Sequence, residues 1–201
     1  MIDFYRFTDC ALALIILVNP VSKIFVVSTF EEKTSFSEIR KVIIKASIIA
    51  MGILFTFAIG GDFVLKSLFN VNIYSLKIVG GIVLLLKGYQ ALSRGLFFET
   101  SATQRLEDVS IVPLASPMIA GPATIAASVS FPSIYGLSTV LLGIIAVVLF
   151  TGVVMFLSKR ICSVLARFNI MGALIRITGL IVATIGTQMA LDGIREFLVF
   201  L

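Results

Sequence analysis

Two proline residues follow helix-capping residues inside long apolar stretches, at Asn19-Pro20 and at Gly121-Pro122. Asn and Gly are accepted at the N-cap of a helix, and Pro is favoured at its first position. Each pair therefore predicts a point where one half-helix ends and another begins. The first amides of the second half-helix suit a carboxylate, and the carbonyl groups across the gap suit an ammonium group or a cation. Together the two breaks predict a site that fits a zwitterion such as an amino acid.

The residues at the two breaks are the predicted substrate-binding residues: Asn19, Pro20, Ser22, Ser116, Gly121, Pro122, Ala123 and Thr124. Asn19 is expected to cap the second half-helix, and Gly121 is expected to supply backbone freedom that a bulkier residue lacks. The alternative is that the prolines only kink two helices, which is common in membrane proteins. Breaks at corresponding points of two halves of the chain favour the binding site.

Three further polar residues in apolar segments are candidates for ion coupling or for the polar lining of the site: Lys23, Gln188 and Asp192. Lys23 follows the first break directly. Gln188 and Asp192 lie one helical turn apart and face either the bundle or the outer headgroups, and the headgroups are favoured for Asp192. Most other ionisable residues in these segments, Lys77 among them, lie near segment ends, where long side chains extend to the headgroups.

Enzyme and cofactor chemistry is poorly supported by the sequence. The chain has no histidine, and its two cysteines, Cys10 and Cys162, are far apart and not in a C-x-x-C spacing. This argues against histidine-dependent catalysis and against a zinc or haem site. Gly60-Gly61-Asp62 is similar to the G-x-G-D of intramembrane aspartyl proteases, but Ile59 stands where the first glycine belongs. We therefore expect no enzyme activity, no metal and no cofactor.

The composition predicts an all-α integral membrane protein. Hydrophobic residues make up 59% of the 201 positions, the mean hydropathy is +1.11 and only 13% of residues are charged. About 20 apolar residues cross a hydrocarbon core of roughly 30 Å. Six segments are predicted to span it, and the first also directs insertion, with no cleavable signal peptide expected. The predicted spans are 4–30, 42–61, 73–93, 109–130, 137–157 and 174–198.

An internal repeat relates the two halves of the chain. Residues 69–92 laid over 168–191 give eight identities in 24 positions, including Phe69-Asn70 with Phe168-Asn169. The predicted single membrane domain thus consists of repeat 1 (1–95), a connecting loop (96–108) and repeat 2 (109–201). Each repeat holds three helices, so the second copy must enter the membrane from the opposite side. The fold prediction is six transmembrane helices as two inverted three-helix repeats, with helices 1 and 4 broken at Pro, an architecture found in transporters.

Lys and Arg are distributed unevenly between the two sides of the predicted membrane domain. Nine lie in or near the 1–2, 3–4 and 5–6 loops, and four lie on the opposite side. The positive-inside rule then predicts that both termini face outward. The net charge of +5 is spread thinly, with no basic stripe, so no nucleic-acid partner is expected. Membrane lipid and a small-molecule substrate are the expected partners, and the oligomeric state stays open.

Two sequence segments resemble the signatures of the MarC family: Asn19-Pro20-Val21-Ser22-Lys23, and Ser116 to Thr124 with its Pro-x(4)-Gly-Pro spacing. The likeness extends over the whole chain in length, helix count and motif position. The resemblance implies a multi-pass protein of the bacterial cell inner membrane, grouped with exporters of the LysE type. Family members often have glycine where Ser22 stands and proline near Ile24-Phe25, so we expect a different pocket shape here.

The resemblance also implies a function. Some archaeal members of the family are described as transporters of small neutral amino acids, coupled to an ion or proton gradient. The sequence therefore predicts a secondary transporter of small solutes. The alternative is a non-transporting membrane accessory or scaffold protein in which the two breaks are only kinks. The polar and small residues at both breaks favour the transporter.

Overall fold

The computed structural model describes residues 3–31, 35–63, 67, 70–94, 119–168 and 170–200. These residues form eight α-helices and no strand. The helices are α1 (Phe4–Val18), α2 (Pro20–Glu31), α3 (Phe36–Phe63), α4 (Ile73–Arg94), α5 (Pro122–Tyr135), α6 (Leu137–Phe156), α7 (Ser158–Arg167) and α8 (Met171–Phe200). The predicted connecting loop and Ser116 lie outside the described residues.

Within the described residues, four helices are long and apolar enough to cross a membrane: α3, α4, α6 and α8. Their candidate spans are Ser37–Gly61, Ile73–Ser93, Leu137–Phe156 and Gly172–Val199. These coincide with four of the six predicted spans to within a few residues. The all-helical membrane class predicted from the composition is therefore confirmed.

The remaining two predicted spans are the ones that contain the proline breaks. The first is divided into α1, with 15 residues, and α2, with 12. For the second, the described part is α5, with 14 residues. At 1.5 Å per residue, none of these helices crosses roughly 30 Å of hydrocarbon by itself.

The larger of two buried apolar clusters in the described residues joins the short helices to α3 and α6. Its fully buried side chains come from α1 (Leu14), α3 (Ile43, Leu54) and α6 (Ile144, Met155). Val18, at the end of α1, and Ile119 and Ala120, just before α5, belong to the same cluster. The two proline breaks therefore adjoin one common core.

Helices α4 and α8 form a seam in which the two backbones touch. A methyl group added at Gly81 would lie 2.5 Å from the carbonyl oxygen of Gly186, and one added at Gly88 would lie 2.5 Å from that of Gly179. One added at Gly193 would lie 2.8 Å from the carbonyl oxygen of Tyr74. The residue numbers of the contacts on α8 decrease as those on α4 increase, so the two helices are antiparallel. Small residues let helices approach closely, and five glycines do so in this seam: Gly81, Gly88, Gly179, Gly186 and Gly193.

Two polar segments that the sequence suggested as connections are helical. Phe131-Pro132-Ser133 continues α5, with Pro132 inside the helix, and the turn comes later at Gly136, whose φ is +87°. Lys159 to Arg167 form most of α7. Pro132 has no amide to donate, so the helix lacks the hydrogen bond from position 132 to the Ser128 carbonyl oxygen.

Candidate functional site

Asn19 forms the first break by two separate contacts. Its backbone is left-handed, with φ 52° and ψ 73°, and its amide donates to the Ile15 carbonyl oxygen at 2.8 Å, which ends α1. Its side-chain Oδ1 accepts from the Ser22 amide at 3.3 Å, which caps α2. The Ser22 hydroxyl donates to the Asn19 carbonyl oxygen at 2.8 Å. The predicted break and the predicted capping role of Asn19 are confirmed.

The second break is built differently. Gly121 precedes Pro122 at the first position of α5, as predicted, but its φ of −73° and ψ of 168° are extended values that any residue adopts. The expectation that Gly121 supplies special backbone freedom was wrong. The Thr124 hydroxyl lies 3.0 Å from the Ile119 carbonyl oxygen and 2.9 Å from that of Gly121. The Thr124 hydroxyl thus donates to the carbonyl oxygen three residues before it, as the Ser22 hydroxyl does at the first break.

The open end of α5 faces helix α4. The first backbone hydrogen bond of α5 runs from the Ile125 amide to the Gly121 carbonyl oxygen at 2.9 Å, so the Ala123 and Thr124 amides lie at the helix start. A methyl group added at Gly80 would lie 3.4 Å from the Ala123 nitrogen and 3.1 Å from Met189 Cε. Gly80 therefore keeps α4 close against the start of α5.

Lys23 is a buried cation one turn beyond the first break. The residue is 6% exposed and Ser22 is 3% exposed. The Lys23 Nζ donates to the Ser22 hydroxyl at 3.2 Å, so the ammonium group lies beside the first turn of its own helix. The described side chains offer it no acidic partner. The Lys23 amino group and the amides at the start of α2 therefore lie together, and no acidic side chain of the described residues pairs with Lys23.

A cavity of about 360 Å³ lies between α1, α4, α5 and α8. Leu17, two residues before Asn19, and Ala127, five residues after Pro122, connect its lining to the breaks. The other lining residues are Ala13, Ile16, Lys77, Ser130, Phe131, Ile134, Ile185, Gln188, Met189 and Asp192. The Gln188 amide donates to Asp192 Oδ1 at 2.9 Å. Gln188 and Asp192 thus line one cavity together, whereas Lys23 is not among its lining residues.

A second cavity, of about 460 Å³, adjoins the first and shares Lys77 and Asp192 with it. Arg195 and Glu196 also line it, and Lys77 forms an ion pair with Glu196 across α4 and α8. The sequence analysis placed Lys77 at the headgroups and missed its position in both cavities. The internal repeat was the signal that could have found it, because that repeat aligns α4 with α8.

Comparison with known proteins identifies the family. The model of the MarC family integral membrane proteins matches residues 4–198. The chain belongs to the MarC family. It is 29% identical to the UPF0056 membrane protein PH0214 of Pyrococcus horikoshii, over 91% of this chain and 90% of the relative.

Two other MarC relatives show similar coverage. The UPF0056 membrane protein MJ1677 of Methanocaldococcus jannaschii is 33% identical, over 89% of this chain and 91% of the relative. The UPF0056 membrane protein YvbG of Bacillus subtilis is 30% identical, over 92% of each chain. No solved structure matches. Together with the four long apolar helices, these matches make the chain a multi-pass integral membrane protein.

Proposed function

We propose that this protein is a secondary transporter of a small zwitterionic solute, such as a small neutral amino acid, coupled to an ion or proton gradient and without enzyme activity. The observation that carries the proposal is the pair of helices that begin inside the bundle at Pro20 and Pro122. Each holds a buried hydroxyl in its first turn, Ser22 at 3% and Thr124 at 2% exposure. Helix starts of this kind bind anionic groups of substrates in transporters.

The proposal includes six membrane spans. In it, α1 and α2 cross the membrane together, and α5 belongs to the predicted span 109–130, whose first part lies outside the described residues. The breaks at Asn19-Pro20 and Gly121-Pro122 would lie near the middle of the bilayer, where irregular backbone is tolerated only inside protein or beside a water-filled cavity. The hydrogen bonds of Asn19, Ser22 and Thr124 to the backbone support this, because they satisfy groups that lipid cannot.

The proposal also includes two inverted repeats. The helices that correspond in the repeat, α4 and α8, run antiparallel in contact, which a two-fold axis in the membrane plane requires. The helices that begin at Pro20 and Pro122 precede α3 and α6 in the same order. These relations support the inverted architecture, in which a substrate site lies between the repeats.

Uptake into liposomes tests the proposed function. Purified protein is reconstituted, and accumulation of labelled glycine and L-alanine is followed with and without a proton or sodium gradient. We expect gradient-dependent accumulation by the parent chain and by Lys45→Gln, because Lys45 is an exposed residue of α3 away from both breaks. Absence of accumulation of any small zwitterion under either gradient would favour the scaffold alternative.

The proposed topology places both termini on the periplasmic side of the bacterial inner membrane. A reporter fused after Leu201 is expected to behave as periplasmic, following the Lys and Arg bias of the loops. Cytoplasmic reporter activity would show that the termini face the cytoplasm. The transport proposal would remain, because it depends on the two helix breaks and not on the orientation of the protein in the membrane.

A further inference from the structure

We propose that the cavity between α1, α4, α5 and α8 binds the zwitterion through two opposite charges, with Lys77 for the carboxylate and Asp192 for the ammonium group. This inference rests on the proposed function and adds the residues that recognise the substrate. Lys77 and Asp192 are on different helices and line the same two adjoining cavities. The cavity continues to Leu17 and Ala127, next to the two breaks, so it lies on the path that the proposed transport requires.

The cavity suits a small ligand with two charged ends. Its volume, about 360 Å³, is near the lower limit of roughly 300–1,000 Å³ for small-molecule sites. Most of its lining is apolar, with Ala13 and Ala127 among the walls, and polar groups are few. Gln188 donates to one oxygen of Asp192, which leaves the second carboxylate oxygen for an ammonium group.

Lys77 already binds a carboxylate at this place. Its ammonium group is paired with Glu196, and the side chains of Lys77 and Glu196 are 17% and 48% exposed. The Glu196 side chain is about half exposed, so its carboxylate can turn away from Lys77 when a ligand carboxylate enters the cavity. The replacement exchanges one charge-assisted contact for another, and the ammonium group is never left unpaired.

The glycine seam fixes the two charged residues relative to each other. Gly193, the neighbour of Asp192, packs against Tyr74 and Ile78, which flank Lys77 by three residues and one residue. A methyl group added at Gly193 would lie 2.8 Å from the Tyr74 carbonyl oxygen and 3.0 Å from the Ile78 nitrogen. This close contact fixes the backbones that carry Lys77 and Asp192 relative to each other.

Binding to purified protein in nanodiscs tests the inference. The probes are labelled glycine and L-alanine, with propionate and ethylamine as competitors that carry only one of the two charges. We expect Asp192→Asn to weaken alanine binding about tenfold or more and to abolish the preference for alanine over propionate. Lys77→Gln should weaken alanine binding to a similar degree and abolish the preference over ethylamine.

Glu196→Gln is the matched variant, because it breaks the same ion pair and leaves Lys77 charged. We expect it to bind alanine more tightly than the parent, since the competing carboxylate is removed. Equal weakening by Lys77→Gln and Glu196→Gln would show that only the ion pair matters and would overturn the inference. So would unchanged competition profiles in Asp192→Asn and Lys77→Gln.

The outcome separates this inference from the proposed function. If the parent chain accumulates alanine in liposomes while Asp192→Asn and Lys77→Gln transport and bind like the parent, the transporter proposal stands and the cavity site is wrong. If the parent accumulates no zwitterion, the transporter proposal fails. Charge-selective alanine binding that requires Lys77 and Asp192 would then still establish the cavity as a binding site. No saturable binding of glycine or alanine to the parent overturns the inference.

Discussion

The continuous helices and the interrupted helices of this bundle differ in how their buried backbone groups are packed and hydrogen-bonded. α4 and α8 are continuous and approach until their backbones touch at glycines. α2 and α5 begin at prolines inside the bundle, and their starts are held by Asn19, Ser22 and Thr124 through hydrogen bonds to the backbone. The continuous helices therefore act as the frame, and the polar groups of the interior are concentrated where helices start.

Buried hydroxyl groups also differ between the interrupted and the continuous helices in whether they are hydrogen-bonded. Thr124 lies at a helix start and is bonded to backbone carbonyl groups. Ser47 of α3 and Thr151 of α6 lie in continuous helices, and neither hydroxyl has a hydrogen-bond partner in the part of the chain that the structure describes. A buried hydroxyl without a partner costs free energy, whereas a bonded one contributes to stability. The two regions should therefore respond in opposite ways to the same substitutions.

The largest expected effect is at the glycine seam. Gly186→Ala would place a methyl group 2.5 Å from the Gly81 carbonyl oxygen, and backbone cannot move aside as a flexible side chain can. We expect a loss of about 3 kcal/mol in stability, the upper part of the usual range for overpacking, or failure to accumulate in the membrane. Gly172→Ala on the same helix meets nothing within 4 Å and should be neutral. The measurement is the yield and melting temperature of each purified variant. Equal values for Gly186→Ala and Gly172→Ala would show that the close contact between α4 and α8 does not stabilise the bundle.

The next effect is at Asn19. Asn19→Leu places a side chain that disfavours the left-handed conformation at φ 52°, at a cost of about 1–2 kcal/mol, and removes the cap of α2, worth about 1 kcal/mol. Asn19→Gly retains the conformation and loses the side-chain cap, which costs only a few tenths of a kcal/mol. Leu should therefore lower the melting temperature and the transport rate clearly more than Gly. Similar losses in both variants would mean that the amide side chain and not the backbone defines the break.

Prediction from sequence succeeded where a local rule governs the structure. Apolar length found the four continuous spans, and the preference of Asn for caps and of Pro for the first helical position found both helix starts. It failed where the result depends on contacts between distant segments. No local sequence pattern predicts that Lys77 pairs with Glu196, or that the Thr124 hydroxyl donates to carbonyl groups at the second break.

The assignment of Gly121 shows a second kind of failure. The residue type permits a special backbone, but the residue that adopts one is Asn19, and Gly121 is extended. A residue before proline favours extended values, and Gly121 follows this preference. The left-handed residue Asn19 also precedes a proline, so its conformation needs the capping hydrogen bonds that only the folded chain reveals.

A smaller effect is expected at Lys23, where the interrupted region holds a charge without an acidic partner. Lys23→Met keeps the volume of the side chain and removes the buried ammonium group. We therefore expect the free energy of unfolding to increase by about 1 kcal/mol and the melting temperature to rise. Transport should fall if that charge attracts the substrate. The control is Lys45→Met, which changes an exposed lysine and should stay within about 0.5 kcal/mol. A lower melting temperature in Lys23→Met would show that the ammonium group stabilises the first turn of α2.

The smallest and most direct comparison uses one substitution in both regions. Thr151→Val replaces a fully buried hydroxyl that has no partner by a methyl group of the same shape, so we expect stability to rise by about 0.5–1 kcal/mol. Thr124→Val removes a hydroxyl that lies 2.9 Å from the Gly121 carbonyl oxygen and should lower stability by about 1 kcal/mol. The signs differ because only Thr124 gives up hydrogen bonds when its hydroxyl is replaced. Melting temperatures of the two purified variants, measured in the same detergent, decide the matter. A loss of equal size in both would mean that the two hydroxyls are equally bonded, and the contrast between continuous and interrupted helices would then not extend to their polar groups.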